Sequence, residues 1–306
     1  MQALIWYLQG LTAFYNIMST YSKWILAIIT SMGCAQVMGQ VANSPFTKFG
    51  IGQRADMALA NAQGMAGVGV SQPQYWYVNN QNPALLIHNT LATFQVGVLG
   101  QSNTVRSSTG SEKFNGGNIN YLVTSFAIKP GKWTTSLGLM PYTSVNYKVQ
   151  SVLPVEGRPG VNQRYTEEGT GGFTQLYWSN GVKINDNFSV GLKSAYLFGA
   201  VDKIYKLQPN ASDTTFQRIS APQLKTVAKD FIFGAGIAYT KDSLGGNDYR
   251  LSIGAVYDFS TKVKTSVINK ISDLSVFGAT DTLFSTETNT RGMISLPGAI
   301  TLGASF

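Results

Sequence analysis

Residues 230–240 read Asp-Phe-Ile-Phe-Gly-Ala-Gly-Ile-Ala-Tyr-Thr, and this stretch decides the fold class. Phe231, Phe233, Ile237 and Tyr239 occupy every second position but one, and mostly small or polar residues lie between them. Side chains of a strand point alternately to its two faces, so the pattern predicts a β-strand with one apolar face. Residues 188–198 and 249–259 show the same alternation.

Outward from that stretch, the alternation identifies eight candidate strands. Their predicted bounds are 91–101, 117–129, 133–149, 172–183, 187–202, 227–240, 249–260 and 294–306. After residue 40, no apolar run approaches the roughly 18 residues of a transmembrane helix. The sequence therefore predicts an all-β chain.

The connections between these strands alternate in length. Those at 129–132, 185–187 and 242–248 are short and rich in turn residues. The others, at 102–116, 150–171, 203–226 and 261–293, are 15 to 33 residues long. This alternation is typical of a transmembrane antiparallel β-barrel, with short periplasmic turns and long outer loops. The alternative is a soluble β-sandwich, whose strands also alternate.

Aromatic residues mark both ends of the predicted apolar face. Tyr239 and Tyr249 flank one short turn, whereas Phe231 and Phe259 lie at the far ends of the same two strands. Aromatic girdles of this kind border the apolar band of outer-membrane barrels. The pattern therefore favours the barrel over the sandwich.

The composition excludes several classes of protein. Only 12% of residues are charged, about half the usual share, and the chain has one His and one Cys. We expect no catalytic residues, no metal and no cofactor, and therefore no enzyme. The net charge of +8 is scattered, without a basic aromatic stripe, so we expect no nucleic acid partner. Anionic outer-membrane lipid, including lipopolysaccharide, is an expected contact.

The N-terminal region is typical of an export signal. Lys23 precedes an apolar run that is too short to span a bilayer, and small residues lead to Gln40. We interpret residues 18–39 as a signal peptide, with Met18 as the start and 1–17 as an extension. One alternative is a membrane anchor over residues 1–33. Another is that Cys34 carries a lipid, because Gly33-Cys34 resembles the end of a lipobox.

Residues 40–89 do not alternate and are interpreted as an N-terminal hatch. They contain Ser44-Pro45-Phe46, a glycine-rich stretch with Gly64 and Gly67, and Asn82-Pro83-Ala84 just before the first strand. The glycines would let the hatch backbone pack tightly against a barrel wall. This set of motifs resembles the FadL-like long-chain fatty-acid transporters of the bacterial outer membrane. The resemblance implies passive uptake of hydrophobic small molecules through a plugged barrel.

Gly138 and Pro141 interrupt the third predicted strand, in Leu-Gly-Leu-Met-Pro-Tyr at 137–142. Proline has no backbone N–H for a sheet hydrogen bond, so a proline inside a strand marks an edge or an irregularity. The resemblance implies that such a kink opens a lateral exit from the barrel interior. Our hypothesis is that Gly138 and Pro141 shape this exit; the alternative is that Pro141 lies above the membrane.

The strand count disagrees with the resemblance. The family implies fourteen strands, whereas residues 90–306 show eight, so we expect a C-terminally truncated barrel or one that closes with eight strands. An eight-stranded barrel is filled by its own side chains and cannot contain a hatch. Many inward positions are Gly, Ala or Ser, which would leave a small barrel hollow without another element.

Two isolated features have simple interpretations. His88 has no evident partner in the sequence and is expected to be a capping or surface residue. Glu167 and Glu168 lie in a predicted outer loop, where solvated carboxylates are expected.

Two functions follow from these features. The first is uptake of hydrophobic compounds such as fatty acids, with substrate-binding residues unassigned. The second is a structural outer-membrane barrel that acts as a partner of a protein-secretion complex. A blocked interior with ordered outer loops would favour the second function, and an interior lined by apolar side chains would favour the first.

Overall fold

The alternating segments form one antiparallel sheet in the computed structural model of the protein. The structure describes residues 44–107, 110–154, 159, 162–209, 218–242, 249–275 and 280–306. The predicted signal peptide and Cys34 lie outside these residues. The predicted all-β class is confirmed.

The strands are β1 (Gln53–Arg54), β2 (Thr93–Ser107), β3 (Gly110–Lys129), β4 (Trp133–Pro154), β5 (Asn162–Lys183), β6 (Phe188–Pro209), β7 (Arg218–Lys241), β8 (Leu251–Asp258), β9 (Thr261–Ser275), β10 (Thr280–Leu296) and β11 (Ala299–Ser305). Strands β2 to β7 pair with their neighbours in chain order. Strand β7 then pairs with β9 along its first half and with β8 along its second. Strands β10 and β11 pair with β9 and β8 in turn.

The last two strand lines are therefore each split in two. Phe259-Ser260 separates β8 from β9, and Pro297-Gly298 separates β10 from β11. Apart from the two-residue β1, the described strands form eight lines, the number that the alternation predicts. Within the described residues no pairing joins β2 to β10 or β11, so the sheet is a curled half-barrel. The fourteen-stranded barrel implied by the resemblance is not shown.

The prediction of long outer loops was wrong. The strands include residues 102–107, 110–116, 150–154 and 162–171. Strand β4 pairs with β5 from Trp133↔Val182 to Pro154↔Asn162, with one irregularity near Pro141. Most of 203–226 and 261–293 is also strand. These upper parts carry polar residues on both faces, so period-two apolar alternation disappears although the pairing continues.

The outer face of the sheet carries an exposed apolar band. Phe188 packs against Tyr239 at the short-turn end, with ring centroids 4.8 Å apart, and Tyr196 packs against Phe231 at 5.1 Å further up. The nine residues from Phe231 to Tyr239 span about 27 Å along the strand. This is close to the roughly 25 Å height of an outer-membrane apolar band.

The segment before β2 packs against the opposite, inner face. It contains a 3-10 helix at Pro45–Lys48, a short helix α1 at Ala60–Gln63 and a second 3-10 helix at Pro83–His88. Leu59, Val78 and Leu86 of this segment form a buried cluster with Tyr121 and Tyr177 of the sheet. Much of the buried core therefore lies between the hatch segment and the inner face.

None of the helices in the described ranges is long and apolar enough to cross a membrane.

Candidate functional site

Asn82, Pro83 and Ala84 form the point at which the hatch segment is fixed to the wall. Asn82 is fully buried, and its Nδ2 donates to the carbonyls of Val70, at 2.7 Å, and Ile237, at 3.2 Å. Its Oδ1 accepts a hydrogen bond from the Ala84 N–H at 3.0 Å, which caps the second 3-10 helix. One side chain thus connects two parts of the hatch segment to strand β7.

Glycines of the wall make room for this motif. Gly181, Gly191 and Gly236 pair directly with one another across β5, β6 and β7. A Cβ at Gly181 or Gly191 would overlap with the backbone of Pro83, and one at Gly236 would overlap with the side chain of Asn82. The row of small residues on the inner face is therefore the seat of Asn82 and Pro83.

Three further asparagines complete a buried polar network that the sequence analysis did not identify. Asn79 donates to the Gly69 and Gln72 carbonyls at 2.7 and 3.1 Å, and its Oδ1 accepts from the Asn82 N–H at 2.9 Å. Asn80 donates to the Met57 carbonyl. Asn89 accepts from Ser125 at 3.1 Å. Four asparagines in eleven residues, in a segment without alternation, were the available signal.

Ser44, Pro45 and Phe46 open the described part of the segment. The Ser44 Oγ accepts from the Phe46 N–H at 3.3 Å, Pro45 starts the first 3-10 helix, and Phe46 is 76% exposed. The Ser44 N–H donates to the carbonyl of Asn146 on β4 at 3.2 Å. The three residues therefore lie together at the wall, and the Phe46 side chain remains accessible.

A buried carboxylate ties this helix to β5. Lys48 lies 2.6 Å from Glu167, which also accepts from the Tyr147 hydroxyl at 2.8 Å. The hydrogen bond to Glu167 raises the pKa of Lys48. The expectation of a solvated loop was wrong for Glu167, which is on a strand and 2% exposed. Glu168 faces the other side and pairs with Lys148 and Lys206 at 2.8 and 3.0 Å.

Gly64 and Gly67 lie in the turn after α1, and they do not pack against the wall as the sequence analysis expected. Gly64 is the C-cap residue of α1. Gly67 has a φ of 82°, and a Cβ there would meet no atom within 4 Å. Gly67 therefore provides the backbone geometry of the turn, since positive φ favours glycine, whereas Gly64 has a φ of −60°.

Gly138 and Pro141 both lie on β4, but in different surroundings. A Cβ at Gly138 would overlap with the ring of Tyr177, so the glycine accommodates an aromatic ring on the inner face. Pro141 precedes an irregularity in the β4–β5 register at Tyr142. The pairing of β3 with β4 ends just before it, at Leu122↔Leu139.

The hatch segment fills the cleft that opens above Leu139. Strand β1 pairs with β4 through Arg54↔Thr143, and the Ala55 N–H donates to the Tyr142 carbonyl at 2.9 Å. A cavity of about 780 Å³ remains beside Pro141 and is lined also by Asn118 of β3. The wall is thus interrupted at Pro141, and β1 pairs with β4 beside this interruption.

A group of exposed aromatic residues that was not predicted from the sequence lies at the short-turn end. Tyr75, Trp76 and Tyr77 are 39%, 73% and 46% exposed, and the Arg250 guanidinium lies 5.2 Å from the Tyr75 ring centroid. Arg250 also forms an ion pair with Asp242. We call Tyr75, Trp76, Tyr77, Asp242 and Arg250 the short-turn rim. Three consecutive aromatic residues outside any strand pattern were the available signal.

His88 lies next to this rim, in a cavity of about 240 Å³. Its ring meets that of Tyr75 edge-on at 5.8 Å. Burial lowers the pKa of His88 to about 4, and the positive charge of Arg250 acts in the same direction. It is therefore a neutral, largely buried residue and not the surface residue that the sequence analysis considered.

Within the ranges that the structure describes, no three His, Cys, Asp or Glu residues are grouped closely enough to bind a metal ion. The features that remain are contact surfaces: the cleft at Pro141, the short-turn rim and the apolar outer band.

A family model with the description BamG matches residues 21–306. No curated protein matches the chain. The resemblance to FadL-like transporters was therefore wrong, because the family that matches almost the whole sequence is a different one. The shared motifs Ser-Pro-Phe and Asn-Pro-Ala are short, and such turn and cap residues recur wherever a segment must be fixed to a sheet. The prediction of fatty-acid uptake therefore loses its support, because it depended on this resemblance.

Proposed function

The chain belongs to the BamG family, and on that premise we propose that it acts at the outer membrane as a partner of the BAM complex, which assembles outer-membrane proteins. The match to residues 21–306 is the observation that carries this proposal. It agrees with the second function considered from the sequence, a partner of a protein complex.

The contacts that fix the hatch segment favour a protein that binds a partner over one that conducts small molecules. Asn82 and Asn79 connect its backbone to the wall and to itself, and Lys48 pairs with the buried Glu167. Breaking a buried hydrogen bond or ion pair costs about 1–3 kcal/mol or more for each group left unpaired. A segment fixed at so many points is suited to keeping one surface shape.

The short-turn rim is the surface that we assign to this partnership. Trp, Tyr and Arg are the residues most enriched among those that dominate binding at protein interfaces. Trp76 is largely exposed, while Tyr75 is held by Arg250 and His88. Short turns of outer-membrane barrels face the periplasm. We therefore assign the rim to a periplasmic protein contact.

Affinity purification tests the proposed function. The tagged full-length protein is extracted from its own membranes in a mild neutral detergent, and co-purifying proteins are quantified by mass spectrometry. We expect BAM subunits to be enriched above unrelated outer-membrane barrels of similar abundance. Equal recovery of BAM subunits and unrelated barrels would contradict the proposal.

Site-specific crosslinking tests the assigned surface. A photoreactive amino acid replaces Trp76, and a matched variant carries it at Val152, which is 66% exposed at the opposite end of the sheet. We expect crosslinks to BAM subunits from position 76 and few from position 152. The reverse pattern would leave the partnership intact but overturn the assignment of the rim.

A further inference from the structure

A second interruption of the wall lies between β7 and the β8–β9 line. Strand β7 pairs with β9 as far as Ala228↔Thr265 and with β8 from Gly234↔Asp258 onward. In between, the Phe259 N–H donates to the Phe233 carbonyl at 3.0 Å. The next line is interrupted at the same level, since Leu296 pairs with Thr261 and Ala299 pairs with Asp258.

A cavity of about 390 Å³ occupies this position, and we call it the wall window. Its lining includes Phe233 and Phe259, which are 53% and 45% exposed on the outer face. It also includes Lys193 and Gln175 from the inner face and Arg54 from the hatch segment. The lining of the window therefore combines apolar side chains with the cations Lys193 and Arg54.

Lys193 is the cation at the inner end of the window. Its Nζ lies 5.0 Å from the centroid of the Tyr177 ring. Lys193 pairs with Gly234, which in turn pairs with Asp258, so the three residues form one row across β6, β7 and β8. The glycine leaves space between the charged residues, and no ion pair within 4.0 Å involves Lys193 in the described part of the chain.

The charges around the window are unbalanced. Arg54 lies 3.9 Å from Asp258, which neutralises one of the two cations. Lys193 remains without a carboxylate, and a cation partly removed from water is unfavourable without a counter-charge. An anionic group would supply the missing counter-charge.

We propose that the wall window binds an anionic amphiphile. Its carboxylate or phosphate contacts Lys193 and Arg54, and its apolar chain lies along Ile232, Val256 and Leu296, which also line the cavity. A free fatty acid and an anionic phospholipid share this chemistry. The inference is independent of the partnership with the BAM complex and does not require passage of the ligand through the protein.

Native mass spectrometry of the protein purified in neutral detergent tests the site with three probes. Oleate and phosphatidylglycerol carry the anionic head, and monoolein offers the same chain without charge. We expect an anionic probe to bind at least about tenfold more tightly than monoolein, the effect of one charge-assisted hydrogen bond. Binding of oleate alone identifies a free acid as the ligand, and binding of phosphatidylglycerol identifies a membrane lipid. Equal binding of monoolein overturns the proposal.

Variants locate the binding at the window. Lys193→Met should weaken the anionic probe at least about tenfold, whereas Lys193→Arg and the matched control Lys241→Met should stay near the wild-type affinity. Ile232→Trp keeps every charge and fills the cavity, so it should abolish binding; thermal unfolding checks that the fold is retained, because Ile232 also packs against two buried clusters. Wild-type affinity in both Lys193→Met and Ile232→Trp overturns the proposal, and co-purification with BAM subunits remains a separate result.

Discussion

The backbone of Pro83 occupies the space that a Cβ would take at Gly191 of strand β6. Gly191 pairs with Gly181 on one side and Gly236 on the other, so the contact lies in the middle of a continuous row of glycines. A small residue in this row is thus required by the hatch segment and not by the strand itself, which would be better formed by β-branched residues.

Gly191→Val should therefore destabilise the protein by about 3 kcal/mol or more, because the new side chain must displace backbone and not a flexible side chain. Gly100→Val is the matched control, since a Cβ at Gly100 meets no atom within 4 Å. We expect this control to leave stability unchanged or slightly raised. Urea unfolding monitored by tryptophan fluorescence compares the two, and equal midpoints would show that Pro83 does not rest on Gly191.

Asn82→Ala should also cost about 3 kcal/mol, since it leaves the Val70 and Ile237 carbonyls and the Ala84 N–H without their partner. Asn82→Asp should be nearly as harmful, because a carboxylate cannot donate to the two carbonyls. Asn115→Ala, at an exposed position of β3, is the control. Limited proteolysis of the segment before β2 measures the effect, and protection equal to wild type would contradict the assigned network.

Lys48→Met should loosen the start of the hatch segment. It leaves the buried Glu167 without its cation, and we expect a loss of about 2 kcal/mol, below the roughly 3–5 kcal/mol of fully buried pairs because Lys48 itself is partly exposed. Lys148→Met removes a comparable charge from the more exposed Glu168 and should change stability by less than about 1 kcal/mol. Thermal unfolding measures the loss of stability in both variants. Equal losses would contradict the stronger contribution that we assign to the Lys48–Glu167 pair.

His88 should make stability depend on pH in a defined window. Its pKa is about 4 in the folded protein and 6.5 in the reference state, so the unfolded chain binds the proton more readily between these values. Stability should fall as pH decreases from 6.5 to 4, by at most roughly 3 kcal/mol. Lys183, Asp186 and Asp242 line the same cavity, and the positive charge of Arg250 also acts on His88.

His88→Gln removes the titrating group and keeps a polar side chain. We expect its unfolding temperature to vary less between pH 4 and 6.5 than that of the wild type. Above pH 7 the unfolding temperatures of both proteins should depend on pH to the same extent. Identical pH profiles of the two proteins would assign the dependence to other groups.

The lower part of each strand could be predicted from the sequence, and the upper part could not. In 230–240 the outer face meets an apolar environment and the inner face meets the hatch segment, so the two faces differ in composition. Above this level Val145, Tyr147 and Phe173 of the inner face are still buried, but residues 150–154 and 162–171 are mostly polar on both faces. A pattern that depends on the contrast between an apolar and a polar face cannot report strands without that contrast.

The candidate site shows the same limit. Asn82-Pro83-Ala84 was recognisable as a motif of the hatch segment, but its seat is formed by glycines about 100 to 150 residues later in the sequence. Register decides that Gly181, Gly191 and Gly236 meet, and register follows from pairing. Gly138 was interpreted with Pro141 because they are close in sequence, although its neighbour in the fold is Tyr177.

Pro141 remains the residue with the clearest proposed effect on the wall. It lies where pairing of β3 with β4 stops, and it has no N–H with which to continue a ladder. Pro141→Val supplies the missing donor and a β-branched side chain, so pairing should extend upward from Leu122↔Leu139 and narrow the cleft. Amide hydrogen exchange of residues 116–121 should then slow by about tenfold, which corresponds to one added hydrogen bond of ~1.4 kcal/mol. Pro154→Val makes the same change at the far end of β4 and should leave exchange at 116–121 unaltered. If Pro141→Val also leaves that exchange unaltered, strand β1, and not the proline, keeps β3 and β4 apart.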